Sequence, residues 1–129
     1  MDQRALPLNL VNVQNLHSLT LRIRHTDFME PYESLPKTLH TITSPFFSEF
    51  VLELESVGHP LRAWWWKTCV EVDEIFQRMD EERGFKVIVR AKRVNVGERK
   101  PFTALVRQRF PLMNVRERLF IEIGPFPEE

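Results

Sequence analysis

One cysteine, one tyrosine and four glycines are all that the 129 residues hold of those types. The lone Cys69 excludes an internal disulfide and a cysteine-rich zinc site, and it fits a reducing compartment. Gly58, Gly84, Gly97 and Gly124 stand far apart, so neither phosphate loop, G-x-G-x-x-G or G-x-x-x-x-G-K, can form. His17, His25, His40 and His59 lack the H-x-x-x-H or H-E-x-x-H spacing that sets two ligands on one helix face. No metal and no cofactor is therefore expected. No uncharged stretch approaches the roughly 20 residues of a membrane span, and MDQRALPLNLVNV has no apolar run of signal-peptide length. These absences predict an intracellular chain, cytoplasmic or nuclear, with no membrane partner.

What is present is core-forming material. Ten phenylalanines and a hydrophobic content of 43% suit a single globular domain over residues 1–129, and a chain of this length buries roughly two thirds of its unfolded surface. Four segments place apolar residues at every second position: Leu19, Leu21 and Ile23; Phe50, Leu52 and Leu54; Phe85, Val87 and Val89; Leu119, Ile121 and Ile123. That period predicts strands with one buried face. Between them lie three helical stretches. Leu35, Leu39 and Ile42 follow Ser34, a candidate N-cap; the second stretch ends at Gly84; the third, PFTALVRQRFP, opens with Pro101 and stops at Pro111.

Strands joined by helical connections run parallel. Doubly wound parallel sheets have helices on both faces and continuously apolar strands, whereas these strands alternate, so one face is expected to lack helices. Right-handed crossovers held on one side lay the strands down in sequence order. The predicted fold is therefore two-layer α/β, with about four parallel strands in the order 1-2-3-4. Alignment by apolar positions puts Arg24, Glu55 and Arg90 in one outward row, and Arg22, Glu53, Ile88 and Glu122 in the next. Sequential order makes the charges in these rows alternate in sign, which favours pairing between neighbouring strands.

The spacing L-x-x-L-x-L, the mark of leucine-rich repeats, occurs as Leu16-x-x-Leu19-x-Leu21 and, with phenylalanine, as Phe47-x-x-Phe50-x-Leu52, without the asparagine or cysteine that normally follows. In LHSLTLRI, LHTITSPFFSEFVLEL, a tryptophan followed by VDEIF, and FPLMNVRERLFIEI, about residues 8 to 124 resemble the C-terminal part of F-box and leucine-rich-repeat-like proteins of mushroom-forming fungi. The resemblance implies a short, irregular solenoid and a role in substrate recognition for a cullin-type ubiquitin ligase. No stretch resembles the F-box itself, so adaptor binding is carried over to no residue.

Chemistry is sparse. Cys69 falls in helical phase with Trp65, Val72 and Phe76, and is expected to pack as a small apolar group. Glu71 and Glu74 on a helix flank, and Asp80, Glu81 and Glu82 near its end, read as a wet surface and not as a general acid and base. No catalytic residue is assigned, and the chain is expected not to be an enzyme. Charge is uneven: Arg83 to Arg118 hold eleven Lys and Arg against Glu98 and Glu117, a net of +9 that leaves −9 elsewhere. Internal neutralisation by the acidic helix is expected. The alternative is a phosphate or nucleic-acid surface built from Lys92, Arg93, Arg99 and Lys100 in the loop AKRVNVGERK.

The leading expectation is a protein-interaction module that recognises an unknown protein through the exposed sheet face. Its candidate contacts are Arg22, Arg24, Glu53, Glu55, Ile88, Arg90, Phe120 and Glu122, with Val51, Ile88 and Phe120 as apolar anchors. Trp64, Trp65 and Trp66 are consecutive and cannot share one helix face. A helix from Leu61 to Arg83 centres Trp65 on the core and leaves Trp66, beside Val70 and Asp73, as the candidate contact; a rival start at Thr68 rests on the capping-box pattern Thr68-x-x-Glu71. Unpaired strand edges add a possible route to self-association.

Overall fold

Alternating side chains along four short segments produce a sheet with one apolar face. The computed structural model describes residues 9–23, 34–56 and 66–124. Strands β1 (Ser18–Ile23), β2 (Glu49–Ser56), β3 (Lys86–Arg93) and β4 (Leu119–Ile123) pair in parallel in the order β1-β2-β3-β4. Sequential order and the two-layer α/β class are as the sequence predicts.

The connections supply the second layer. Helix α1 (Leu35–His40) joins β1 to β2, α2 (Trp66–Arg83) joins β2 to β3, and α3 (Arg99–Arg109) followed by α4 (Pro111–Val115) joins β3 to β4. Leu19, Leu21, Phe50, Leu52, Leu54, Val87, Val89 and Ala91 from the sheet share one core with Leu39, Val72, Phe76, Phe102, Val106 and Met113 from the helices. Every strand residue of that core lies on the same face, so the described helices cover one side of the sheet. Its centre is a run of rings: Phe47 to Phe85 at 5.1 Å, Phe85 to Phe76 at 5.1 Å and Phe76 to Phe50 at 5.0 Å, spacings at which aromatic pairs attract beyond their burial. None of the described helices is long and apolar enough to cross a membrane.

Of three local expectations, two hold with added detail and one is overturned. Ser34 holds the N-cap position of α1 but makes no side-chain capping bond; Pro36, in the first turn, lacks an N–H to be capped. Trp66 and Lys67 are already helical, so α2 begins before Thr68 and the capping-box start there is overturned. Pro111 does end α3, yet it also opens α4, where its fixed φ suits a first helical turn.

A second correction concerns register. Phe50 pairs with Val87 and Val87 with Leu119, two residues along from the alignment that used Phe85. Phe85 precedes the strand: its N–H donates to Asp80 Oδ1 at 2.9 Å. The third inward position of β3 is instead Ala91, fully buried and too small to register as a core signal. A slip of two preserves which face each residue takes, but it reassigns the outward rows. They are Thr20, Val51, Ile88 and Phe120, then Arg22, Glu53, Arg90 and Glu122.

Candidate functional site

The second row is an alternating ion ladder across all four strands. Glu53 takes Arg22 Nε at 3.5 Å and Arg90 Nη1 at 3.8 Å, and Arg90 Nε in turn reaches Glu122 Oε1 at 2.8 Å. Lys92, two residues beyond Arg90, adds its Nζ at 2.9 Å to Glu53. Two outward rows below, Glu49 accepts from Ser18 Oγ at 3.0 Å and pairs with Lys86 Nζ at 3.4 Å. Exposed pairs of this kind are worth about 0.2–1 kcal/mol each. Here the stems of Arg22, Arg90 and Lys92 surround Glu53, whose own exposure falls to 7%.

Between those charged rows lies the apolar one. Val51, expected to be an exposed anchor, is buried at 6%. Ile88 is half-buried, and Phe120 on the edge strand is 45% exposed. The apolar feature thus narrows to Ile88 and Phe120, bordered by the Arg90–Glu122 pair. Of the other nominated contacts, Arg24 lies outside the described residues, as do Trp64 and Trp65, while Glu55 and Trp66 are described by backbone alone. The structure therefore brings together Arg22, Glu53, Ile88, Arg90, Phe120 and Glu122 on one surface.

The basic segment separates into two populations. Lys86, Arg90 and Lys92 pair with carboxylates of the sheet, Arg83 pairs with Glu82, and Arg116 and Arg118 pair with Asp80. Among the described residues, no carboxylate pairs with Arg93, Arg99, Lys100 or Arg107. The four nominated phosphate contacts do not converge: Lys92 is drawn to Glu53, whereas Arg99 and Lys100 stand on the first turn of α3 and not in a loop. Those two join Thr103, Ala104 and Arg107 around a shallow surface depression. Arg107 and Thr103 were missed by sequence reading, although the four-residue spacing Arg99, Thr103, Arg107 opposite buried Phe102 and Val106 was a usable signal.

Two aspartates of α2 prove structural. Asp80, read from sequence as wet surface, has a side chain only 5% exposed. Burial pushes its carboxyl up, but the Phe85 N–H and the guanidinium groups of Arg116 and Arg118 outweigh this and hold it below the ordinary range. Asp73, placed by phase on an exposed flank, is 1% exposed. Its two oxygens accept the N–H groups of Leu112 at 2.8 Å and Met113 at 3.2 Å, capping α4 from another helix. Burial dominates there and raises its pKa despite those bonds. Glu71, Glu74, Glu81 and Glu82 are exposed, as expected.

Cys69 is 1% exposed, and burial pushes its thiol up to about 12. A thiol so protonated is a packing group and a poor nucleophile. No three His, Cys, Asp or Glu side chains among the described residues are grouped to hold a metal ion. Comparison with family models, with curated proteins and with solved structures finds no match to this chain.

Proposed function

We propose that the chain is a non-catalytic protein-interaction module that binds a partner protein through the outer face of its sheet, centred on Ile88 and Phe120. One observation carries this reading. An aromatic side chain 45% exposed sits on a strand face where no described helix packs, beside a pre-formed Arg90–Glu122 pair. Interfaces are commonly anchored by a buried aromatic with a polar rim that excludes water. The ion ladder holds the surrounding side chains in place before a partner arrives, which lowers the ordering cost of association.

The sequence resemblance supports a more specific form of the proposal. In it the domain is a short array of degenerate leucine-rich-repeat-like units acting as the substrate-recognition part of an F-box-type ubiquitin ligase subunit, inside the cell. The sequential parallel sheet is compatible with such an array. The test is quantitative affinity capture from host lysate with the tagged wild-type chain, Phe120→Lys and Ile88→Lys. A protein retained by the wild type and lost from both variants, with unchanged thermal melts, is expected. Identical capture by all three would remove the sheet face from the account.

A further inference from the structure

The outward face of α3 is a second, chemically different surface. Arg99, Thr103 and Arg107 recur every four residues, with Lys100 and Ala104 alongside, and the stripe from Arg99 to Arg107 is about 12 Å long. Its three cations have no carboxylate partner among the described residues, although Lys86, Arg90 and Lys92 of β3 and Arg116 and Arg118 of the α4–β4 turn each pair with one. One of the three is already oriented: Arg99 Nη2 donates to the carbonyl of Gly124 at 3.3 Å. That contact fixes the guanidinium and leaves its other donors for a ligand. The floor is made of the small side chains of Thr103 and Ala104, with the Thr103 hydroxyl turned back to the Arg99 carbonyl at 2.9 Å.

We infer that this face docks a short acidic segment of a partner polypeptide. Charge complementarity names the occupant, and the dimensions agree. About four residues of extended chain span the stripe at roughly 3.3 Å each, so acids four apart reach Arg99 with Lys100 at one end and Arg107 at the other. The depression is shallow and open, which suits a chain laid across it better than a small molecule, whose sites are concave and enclosing. A long polyanion fits less well. The chain is neutral overall with a pI near 6.9, whereas nucleic-acid domains are strongly basic. Helix α2, which packs against α3, exposes Glu71, Glu74, Glu81 and Glu82, and these repel phosphates running beyond the stripe. Among the described residues, no aromatic side chain lines the depression for base stacking.

The test uses the full chain and fluorescence anisotropy. The probes are a labelled peptide of about ten residues alternating glutamate with serine, and a labelled mixed-sequence DNA duplex of similar length. Saturable, salt-sensitive binding of the peptide is expected, weakened at least about tenfold by Lys100→Glu with Arg107→Glu, and changed less than about threefold by Lys100→Arg with Arg107→Lys. Phe120→Lys leaves peptide binding unchanged, which separates this surface from the sheet face. Absence of peptide binding at low salt, indifference to the charge reversal in a variant that melts like wild type, or tighter binding of the duplex each overturns the proposal.

Discussion

Asp80 Oδ2 accepts the Nε–H of Arg116 at 2.6 Å, joining the end of α2 to the turn before β4 across 36 residues of sequence. The same carboxylate pairs with Arg118 Nε at 3.4 Å through its other oxygen, which also takes the Phe85 N–H. It therefore ties together the starts of β3 and β4. Removing it in Asp80→Ala leaves a backbone donor and two guanidinium groups without their acceptor, at an expected cost of about 2–4 kcal/mol in urea unfolding. Because its folded pKa is lowered, the stabilisation it gives is present at neutral pH and lost as pH falls through the folded value. Wild type and Asp80→Asn should converge in stability on strong acidification.

Asp73 titrates in the opposite sense. Its folded pKa is raised, so ionisation disfavours the folded state: stability is lost as pH rises from the unfolded value through the folded one. Asp73→Asn should flatten that part of the stability–pH curve. It also leaves one carbonyl oxygen for two N–H donors, Leu112 and Met113, at a cost of about 1 kcal/mol. Denaturant midpoints measured across the acidic range for both proteins check the difference in slope.

Two backbone positions should respond in opposite directions. Gly124 donates its N–H to Ala91 at 2.7 Å, and a Cβ there would fall on the Lys92 carbonyl oxygen. Gly124→Ala should destabilise by about 1–3 kcal/mol, since backbone cannot yield as a side chain does. Glu117 holds φ at +60° just past α4, a conformation that glycine adopts without a steric penalty. Glu117→Gly should stabilise by a few tenths to about 1 kcal/mol, read as a rise in melting temperature.

Cys69 should report global unfolding. Buried and with a pKa near 12, it should resist alkylation by iodoacetamide at mildly alkaline pH. Its labelling rate should rise with denaturant in step with the unfolded fraction. Rapid labelling of the native chain would show a local opening of α2.

How much of this was legible in the sequence follows from the reach of each signal. Period-two alternation is local, so the strands and, through the one-sided crossover argument, their order could be read directly. The register of β3 could not, because Phe85 looks like a strand residue and Ala91 does not look like core. What decides it is the Asp80 bond to the Phe85 N–H, together with the seat of Phe85 between Phe47 and Phe76. The role of Asp73 depends on a partner 39 residues away, and nothing in VDEIF marks an aspartate that caps another helix. On the outer face, sequence turned Arg22, Glu53, Arg90 and Glu122 outward, but it put Arg90 in another row and did not show their burial. Glu53 is covered by cations from both neighbouring strands, and that is a property of the assembled sheet.

The most direct test of the sheet-face account is a comparison of Phe120→Lys with wild type and with the Lys100→Glu, Arg107→Glu chain in affinity capture, at matched stability and physiological salt. At least one protein, captured in near-stoichiometric amount by wild type and by the α3 variant, should be lost from Phe120→Lys. Retention of every captured protein by Phe120→Lys, with its fold intact by circular dichroism, would contradict it.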